Sequence, residues 1–273
     1  MTDAGASIGV FDSGVGGLTV LRALQAALPD ENYIYLGDTA RLPYGTKSVE
    51  TVVRYALQAA DELVARDVKA LVIACNTASA AALGALRERF APLPVIGVIE
   101  PGAQAACAAS VSGRIAVIAT EGTVRNGAYQ QAIARLRPDA VVQAVACQLF
   151  VALAEEGWTE GEVAEAAAAR YLKPLFADRA AAPDALVLGC THYPALRGVI
   201  AATIGSAVRI VDSAETTARA TQATLRAADL LRTGSGPGTL RFLATDGVAR
   251  FASVGGRFLG RSLDAAEVQL IDL

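Results

Sequence analysis

The chain is 273 residues long, 53% hydrophobic but only 5% aromatic, and carries a formal net charge of −3. That length fits one large or two medium domains with their own cores, and the charge leaves no electrostatic footprint for nucleic acid. The most apolar stretch, 70–86, is interrupted by Asn76, Thr77 and Ser79 and so falls short of the ~18 uncharged apolar residues of a membrane span. The opening residues MTDAGAS lack the basic and apolar segments of a secretory signal. The expected location is therefore the cytoplasm, with no membrane partner.

In chain order, short apolar runs predict strands at 8–11, 33–36, 70–74, 94–98, 114–119, 140–146, 185–188 and 208–211, with helices between them. The clearest helix is 48–66, where Val52, Ala56, Ala59 and Leu63 share one face. Thr159-Glu-Gly-Glu162 fits a capping box opening a helix towards Phe176. In the tail, a Gly/Pro/Ser turn at 233–238 precedes strands at 240–244 and 268–271. Alternation of this kind indicates an α/β fold with mostly parallel sheets.

A weak internal repeat divides the chain. Ala70-Leu-Val-Ile-Ala-Cys75 matches Ala185-Leu-Val-Leu-Gly-Cys190, and the run from Ile8 to Asp12 is echoed by that from Ile115 to Ala119. Two pseudo-symmetric α/β domains follow, one from 1–98 with 208–273 and the other from 99–207. The tail completes the first. Ligands of open α/β sheets bind beyond the carboxyl ends of the strands. A cleft between the domains would therefore receive one cysteine from each side.

Cysteine suits proton transfer because its unperturbed pKa of ~8.5 lies near working pH. Both Cys75 and Cys190 stand where a strand gives way to a helix, whose positive end is expected to lower the thiol further. Two such groups on opposite faces of a substrate carbon can remove a proton from one side and return it to the other. A single buried cysteine is usually a small hydrophobe, which is the reading for Cys107 and Cys147. His192, the only histidine, is placed to take or relay the Cys190 proton. Asp12 can assist Cys75, hold a substrate ammonium, or cap the helix opening near Gly17.

Binding groups of other kinds are scarce. The four cysteines form no close pairs, so neither disulfides nor a zinc site is expected. In the glycine run 14–17, Thr19 stands where a dinucleotide fingerprint has its third glycine. A pyridoxal enzyme needs a Schiff-base lysine, but Lys47, Lys69 and Lys173 lie beside a turn, before a strand and on a helix. No cofactor and no metal are expected.

The motifs Asp12-Ser13-Gly-Val-Gly-Gly, Gly37-Asp-Thr-Ala-Arg-Leu-Pro-Tyr44-Gly45, Ala74-Cys75-Asn76-Thr77-Ala78 and Gly189-Cys190-Thr191-His192-Tyr193-Pro194 occur in this order across nearly the whole chain. Together they resemble the bacterial glutamate racemase family, of the aspartate/glutamate racemase superfamily. The resemblance implies cofactor-independent interconversion of L- and D-glutamate in a cleft between two domains. It also implies catalytic roles for Cys75 and Cys190, and substrate contacts from Asp12, Ser13, Tyr44, Gly45, Asn76, Thr77, Thr191 and His192. Thr120 and Thr123 would add contacts to a carboxylate. Supply of D-glutamate for peptidoglycan precursors and a homodimeric assembly are implied in the same way. One stretch departs from the family pattern: Cys147-Gln-Leu-Phe-Val-Ala-Leu-Ala-Glu155 lacks two prolines, although Glu155 keeps its place and is expected to orient His192. The alternatives are an aspartate racemase, a two-cysteine redox protein, and a non-catalytic binding protein that keeps the fold.

Overall fold

The computed structural model describes residues 3–234 and 236–273. The predicted turn at 233–238 includes residue 235, which lies outside them. The first sheet contains β1 (Ile8–Asp12), β2 (Tyr33–Gly37), β3 (Ala70–Ile73) and β4 (Val95–Gly97). The second contains β5 (Arg114–Ala119), β6 (Val141–Ala146), β7 (Ala185–Gly189) and β8 (Arg209–Asp212). β9 (Leu240–Ala244) and β10 (Val268–Leu270) return to the first sheet.

The sheet orders are β10-β9-β2-β1-β3-β4 and β6-β5-β7-β8, with every described pair parallel. Removing β9 and β10 leaves the same order in both sheets, since β2-β1-β3-β4 corresponds to β6-β5-β7-β8. The strands preceding Cys75 and Cys190 are therefore topologically equivalent, as the sequence repeat implies. Both are buried along their whole length, which explains their unbroken apolar runs.

The helices are α1 (Leu18–Ala27), α2 (Val49–Val64), α3 (Asn76–Phe90), α4 (Ile99–Ala109), α5 (Glu121–Asn126), α6 (Ala128–Leu136), α7 (Leu149–Glu156), α8 (Glu162–Leu172), α9 (Arg197–Ile204), α10 (Ser213–Ala227) and α11 (Val248–Leu259). In α2, Val52, Ala56, Ala59 and Leu63 are buried as the periodicity requires, and the Ser48 hydroxyl accepts from the Thr51 N–H. No helix among the described residues is long and apolar enough to cross a membrane.

Three expectations are corrected. The boundary at residue 207 falls too early, because β8 pairs with β7 and belongs to the second sheet. After β8, α10 packs against both α1 and α4 and so ties the halves together. The capping box at Thr159–Glu162 does not form: Gly161, at φ 83°, is the N-cap and offers no side chain. Its left-handed backbone suits glycine, and Glu162 and Glu165 complement the helix dipole instead. Asp12 does not cap α1, whose N-cap is Gly17. Its Oδ2 accepts instead from the Gly14 N–H at 2.9 Å, closing a tight local turn.

The two ends of the first sheet have different characters. At the amino end, Lys69 is fully buried and ion-paired with buried Glu31, and its ammonium also donates to the Ala4 carbonyl. At the carboxyl end lie the polar turns that form the cleft.

Candidate active site

A cleft of about 480 Å³, counted out to its open mouth, lies beyond the carboxyl ends of both sheets. Ser13, Tyr44, Gly45, Cys75, Asn76 and Thr77 line it from the first sheet's side, and Thr120, Cys190, Thr191 and His192 from the second. Every predicted contact residue except Asp12 and Thr123 reaches its wall. Asp12 is fully buried outside the lining, and Thr123 bonds to Thr120 from behind.

Cys75 is the N-cap of α3, its sulfur accepting from the Ala78 N–H at 3.4 Å while its thiol donates to Ser13 Oγ at 3.4 Å. Burial, followed by the Asp12 charge, pushes this thiol up to about 12, against the lowering contacts from Ser13 and Ala78. The helix terminus is present as expected, but it does not win. Desolvation dominates, and Cys75 is held as a thiol. Asp12 is itself raised by burial, with His192 and the backbone N–H groups of Gly17, Gly14 and Ser13 pulling the other way. Its Oδ1 has no hydrogen-bond partner.

Cys190 follows β7 and meets a cation. Its sulfur lies 3.8 Å from His192 Nδ1, while His192 Nε2 lies 3.2 Å from Glu155 Oε1. Burial alone would lower this imidazole, but hydrogen bonds to Cys190 and Glu155 and the charges of Cys190 and Asp12 outweigh it and hold the ring up to about 10. Glu155 is lowered chiefly by its bond to His192. Its other oxygen meets Arg250 of α11 at 3.2 Å. Without the two prolines, residues 149–156 simply continue as α7, which delivers Glu155 to the ring.

The two halves touch at several points around the cleft. Thr77 Oγ1 lies 2.9 Å from Thr120 Oγ1, and both approach Thr123, at 3.3 and 3.0 Å. A Cβ on Gly45 would come within 2.8 Å of the Thr120 Cβ, so only glycine lets that loop approach. The Tyr44 hydroxyl donates to buried Asp38, which also receives Arg41 Nε at 2.7 Å and the Thr245 hydroxyl at 2.9 Å. Asn76 donates to the Tyr129 hydroxyl at 2.9 Å, leaving its own Oδ1 buried without a donor.

Sequence reasoning missed Gln148 and Val151 in the lining, Arg250 behind Glu155, and Thr19 behind Thr191. Gln148 and Val151 lie in the stretch already singled out for Glu155. The i, i+3 and i+4 spacing from Gln148 to Val151 and from Val151 to Glu155 was the available signal. Arg250 carried none. No group of three or more potential metal ligands occurs among the described residues.

Residues 8–221 match the Asp/Glu/hydantoin racemase family. A glutamate racemase from Geobacter metallireducens is 56% identical over 265 residues, covering 97% of each chain. Among solved structures, a glutamate racemase isoform from Bacillus anthracis superimposes with a TM-score of 0.92 at 38% identity, covering 98% of each chain. The glutamate racemase from Francisella tularensis, solved in complex with D-glutamate, does so with a TM-score of 0.91 at 37% identity and the same coverage.

Proposed function

The chain belongs to the Asp/Glu/hydantoin racemase family, and from that premise we propose that it interconverts L- and D-glutamate by passing a proton across the α-carbon between Cys75 and Cys190. The observation that carries this reading is that two equivalent strand ends, one from each sheet, bring a cysteine to opposite sides of a single cleft.

The reaction begins with one sulfur as thiolate and the other as thiol. The thiolate takes the α-hydrogen, so a C–H bond breaks and an S–H bond forms, leaving the electron pair on the α-carbon. The opposite thiol then gives its proton to the other face and becomes the thiolate. No net proton is consumed, and the enzyme is left ready for the reverse turnover. His192 beside Cys190 supplies positive charge for that sulfur's ionised form. Among the described residues, no such cation lines the Cys75 side. There the substrate ammonium, held by the unpartnered Asn76 Oδ1, fills the role. The hydroxyls of Thr77, Thr120 and Thr191 and the N–H groups at the start of α3 suit the two substrate carboxylates.

Glutamate is preferred over aspartate because the relatives just described are glutamate racemases. The family resemblance further supports a homodimer that supplies D-glutamate for peptidoglycan precursors in the cytoplasm. The decisive experiment follows circular dichroism of L-glutamate with purified protein and no added cofactor. Decay of the signal to zero is expected, with solvent deuterium entering each enantiomer as it forms from the other. Turnover of aspartate alone would overturn the substrate, and an unchanged signal with both acids would overturn the activity.

A further inference from the structure

The segment that leads from β1 into α1 touches the Cys75 thiol at one end and the backbone of the Cys190 turn at the other. Ser13, at its beginning, contacts the Cys75 thiol. Thr19, six residues later, is buried on α1 at 4% exposure. Its hydroxyl lies 2.9 Å from the Gly16 carbonyl and 3.1 Å from the Thr191 carbonyl, in the peptide that joins Thr191 to His192. Between these anchors, Gly16 is pressed against the second half so closely that a Cβ would stand 2.4 Å from both His192 Nδ1 and Thr191 Oγ1.

We infer that Thr19 is a positioning residue, whose hydroxyl latches the Cys190-Thr191-His192 turn to the first domain and so fixes the separation of the two sulfurs. The inference rests on the two-cysteine reading above. The Gly16 contact alone is an ordinary helix-start bond. The contact to Thr191 is different because it crosses between halves that share no strand pairing. The β1–α1 turn is thereby a ruler, with Ser13 at one end and Thr19 at the other. A two-base transfer is sensitive to this length, since misplacement by about 1 Å can cost roughly a hundredfold. Loosening the ruler has a specific chemical consequence. The sulfur that took the proton exchanges it with solvent and returns it to the face it came from, because the opposite thiol is out of reach. Exchange then occurs without inversion.

The test compares Thr19→Val, which keeps the shape and removes the hydroxyl, with Thr19→Ser, which keeps the hydroxyl. In deuterated water, deuterium in the starting enantiomer and deuterium in the product are measured together by chiral separation and mass spectrometry. The expected result is that Thr19→Val lowers kcat/KM about tenfold in both directions and raises the ratio of exchange to inversion, while Thr19→Ser recovers most of both. A normal rate and ratio in Thr19→Val would overturn the inference. A lower rate with the wild-type ratio would equally do so, because loss of folded protein scales both events alike. If wild-type protein shows neither exchange nor inversion, the failure lies in the racemase reading itself.

Discussion

The turns after β3 and β7 are equivalent in topology and opposite in electrostatics. Cys75 sits on a helix N-terminus beside a buried carboxylate and a hydroxyl, and burial keeps it protonated. Cys190 sits beside an imidazole that hydrogen bonds to Cys190 and to Glu155 hold charged, with Arg250 bonded to the far oxygen of Glu155. Two sheets of matching strand order deliver one sulfur each to a single cavity, and the residues around each differ. The comparison teaches that a shared strand order can bring two sulfurs to one cavity while their neighbours give each a different setting, a hydroxyl and a carboxylate for Cys75 and an imidazole for Cys190.

The largest effect should come from removing either sulfur. Cys75→Ala and Cys190→Ala are each expected to lower racemisation by about a thousandfold or more, the upper range for a positioned acid or base. Cys107→Ala, on α4 away from the cleft, should leave it unchanged. Substantial racemisation by either of the first two variants would break the comparison outright.

The next largest effects probe the neighbours. Asp12→Asn alters the Cys75 side and His192→Asn the Cys190 side, each with an expected loss in kcat of about a hundredfold. Enantiomers have equal free energy, so kcat/KM must stay equal in the two directions for any variant. Asymmetry can appear only as compensating changes in kcat and KM. The enantiomer whose kcat falls further should switch between the two variants, read from initial rates with each pure enantiomer. If both variants favour the same enantiomer, the two sides are not distinct in the way the structure indicates.

Much of this was legible in the chain because buried parallel strands write themselves as unbroken apolar runs. The likeness of 70–75 to 185–190 therefore pointed to two similar halves with a cysteine at the end of one strand in each, and both cysteines line one cleft. What escaped had a physical reason in each case. β8 was assigned to the wrong half because a strand does not encode its partner, and only the ladder to β7 reveals it. The helix-dipole argument for a lowered Cys75 failed because it weighed the helix terminus without the cost of desolvation and the Asp12 charge, which outweighed the capping contacts. Thr19 looked like a defect in a glycine motif. Its partner, the Thr191 carbonyl, lies 172 residues away and carries no side-chain signature.

A smaller effect is expected at the threonine junction, where Thr77 and Thr120 meet across the halves at 2.9 Å. Thr77→Val and Thr120→Val should each raise KM about fivefold, the equivalent of one hydrogen bond of roughly 1 kcal/mol. The double variant should raise it by less than the product, because the two hydroxyls share one bond. Strict multiplicativity in that cycle would show that the pair does not act together.

The last effect is on stability and not on turnover, and its pH window, set by His192, isolates the Cys190 side. His192 is raised from 6.5 to about 10 in the folded protein. The folded state therefore binds this proton more tightly than the unfolded chain does. The stabilisation is complete below about pH 6.5 and is lost as pH rises towards about 10. Cys75 is also raised, from 9.0 to about 12, so it too destabilises the fold at high pH. That contribution is common to wild type and His192→Asn and cancels between them. Urea unfolding of both proteins at about pH 6, 8 and 10 should show a stability gap that narrows steadily with pH. A constant gap would mean that the ring's contacts hold it equally well without its charge. The cation assigned to the Cys190 side would then be absent, and with it the electrostatic difference between the two strand ends.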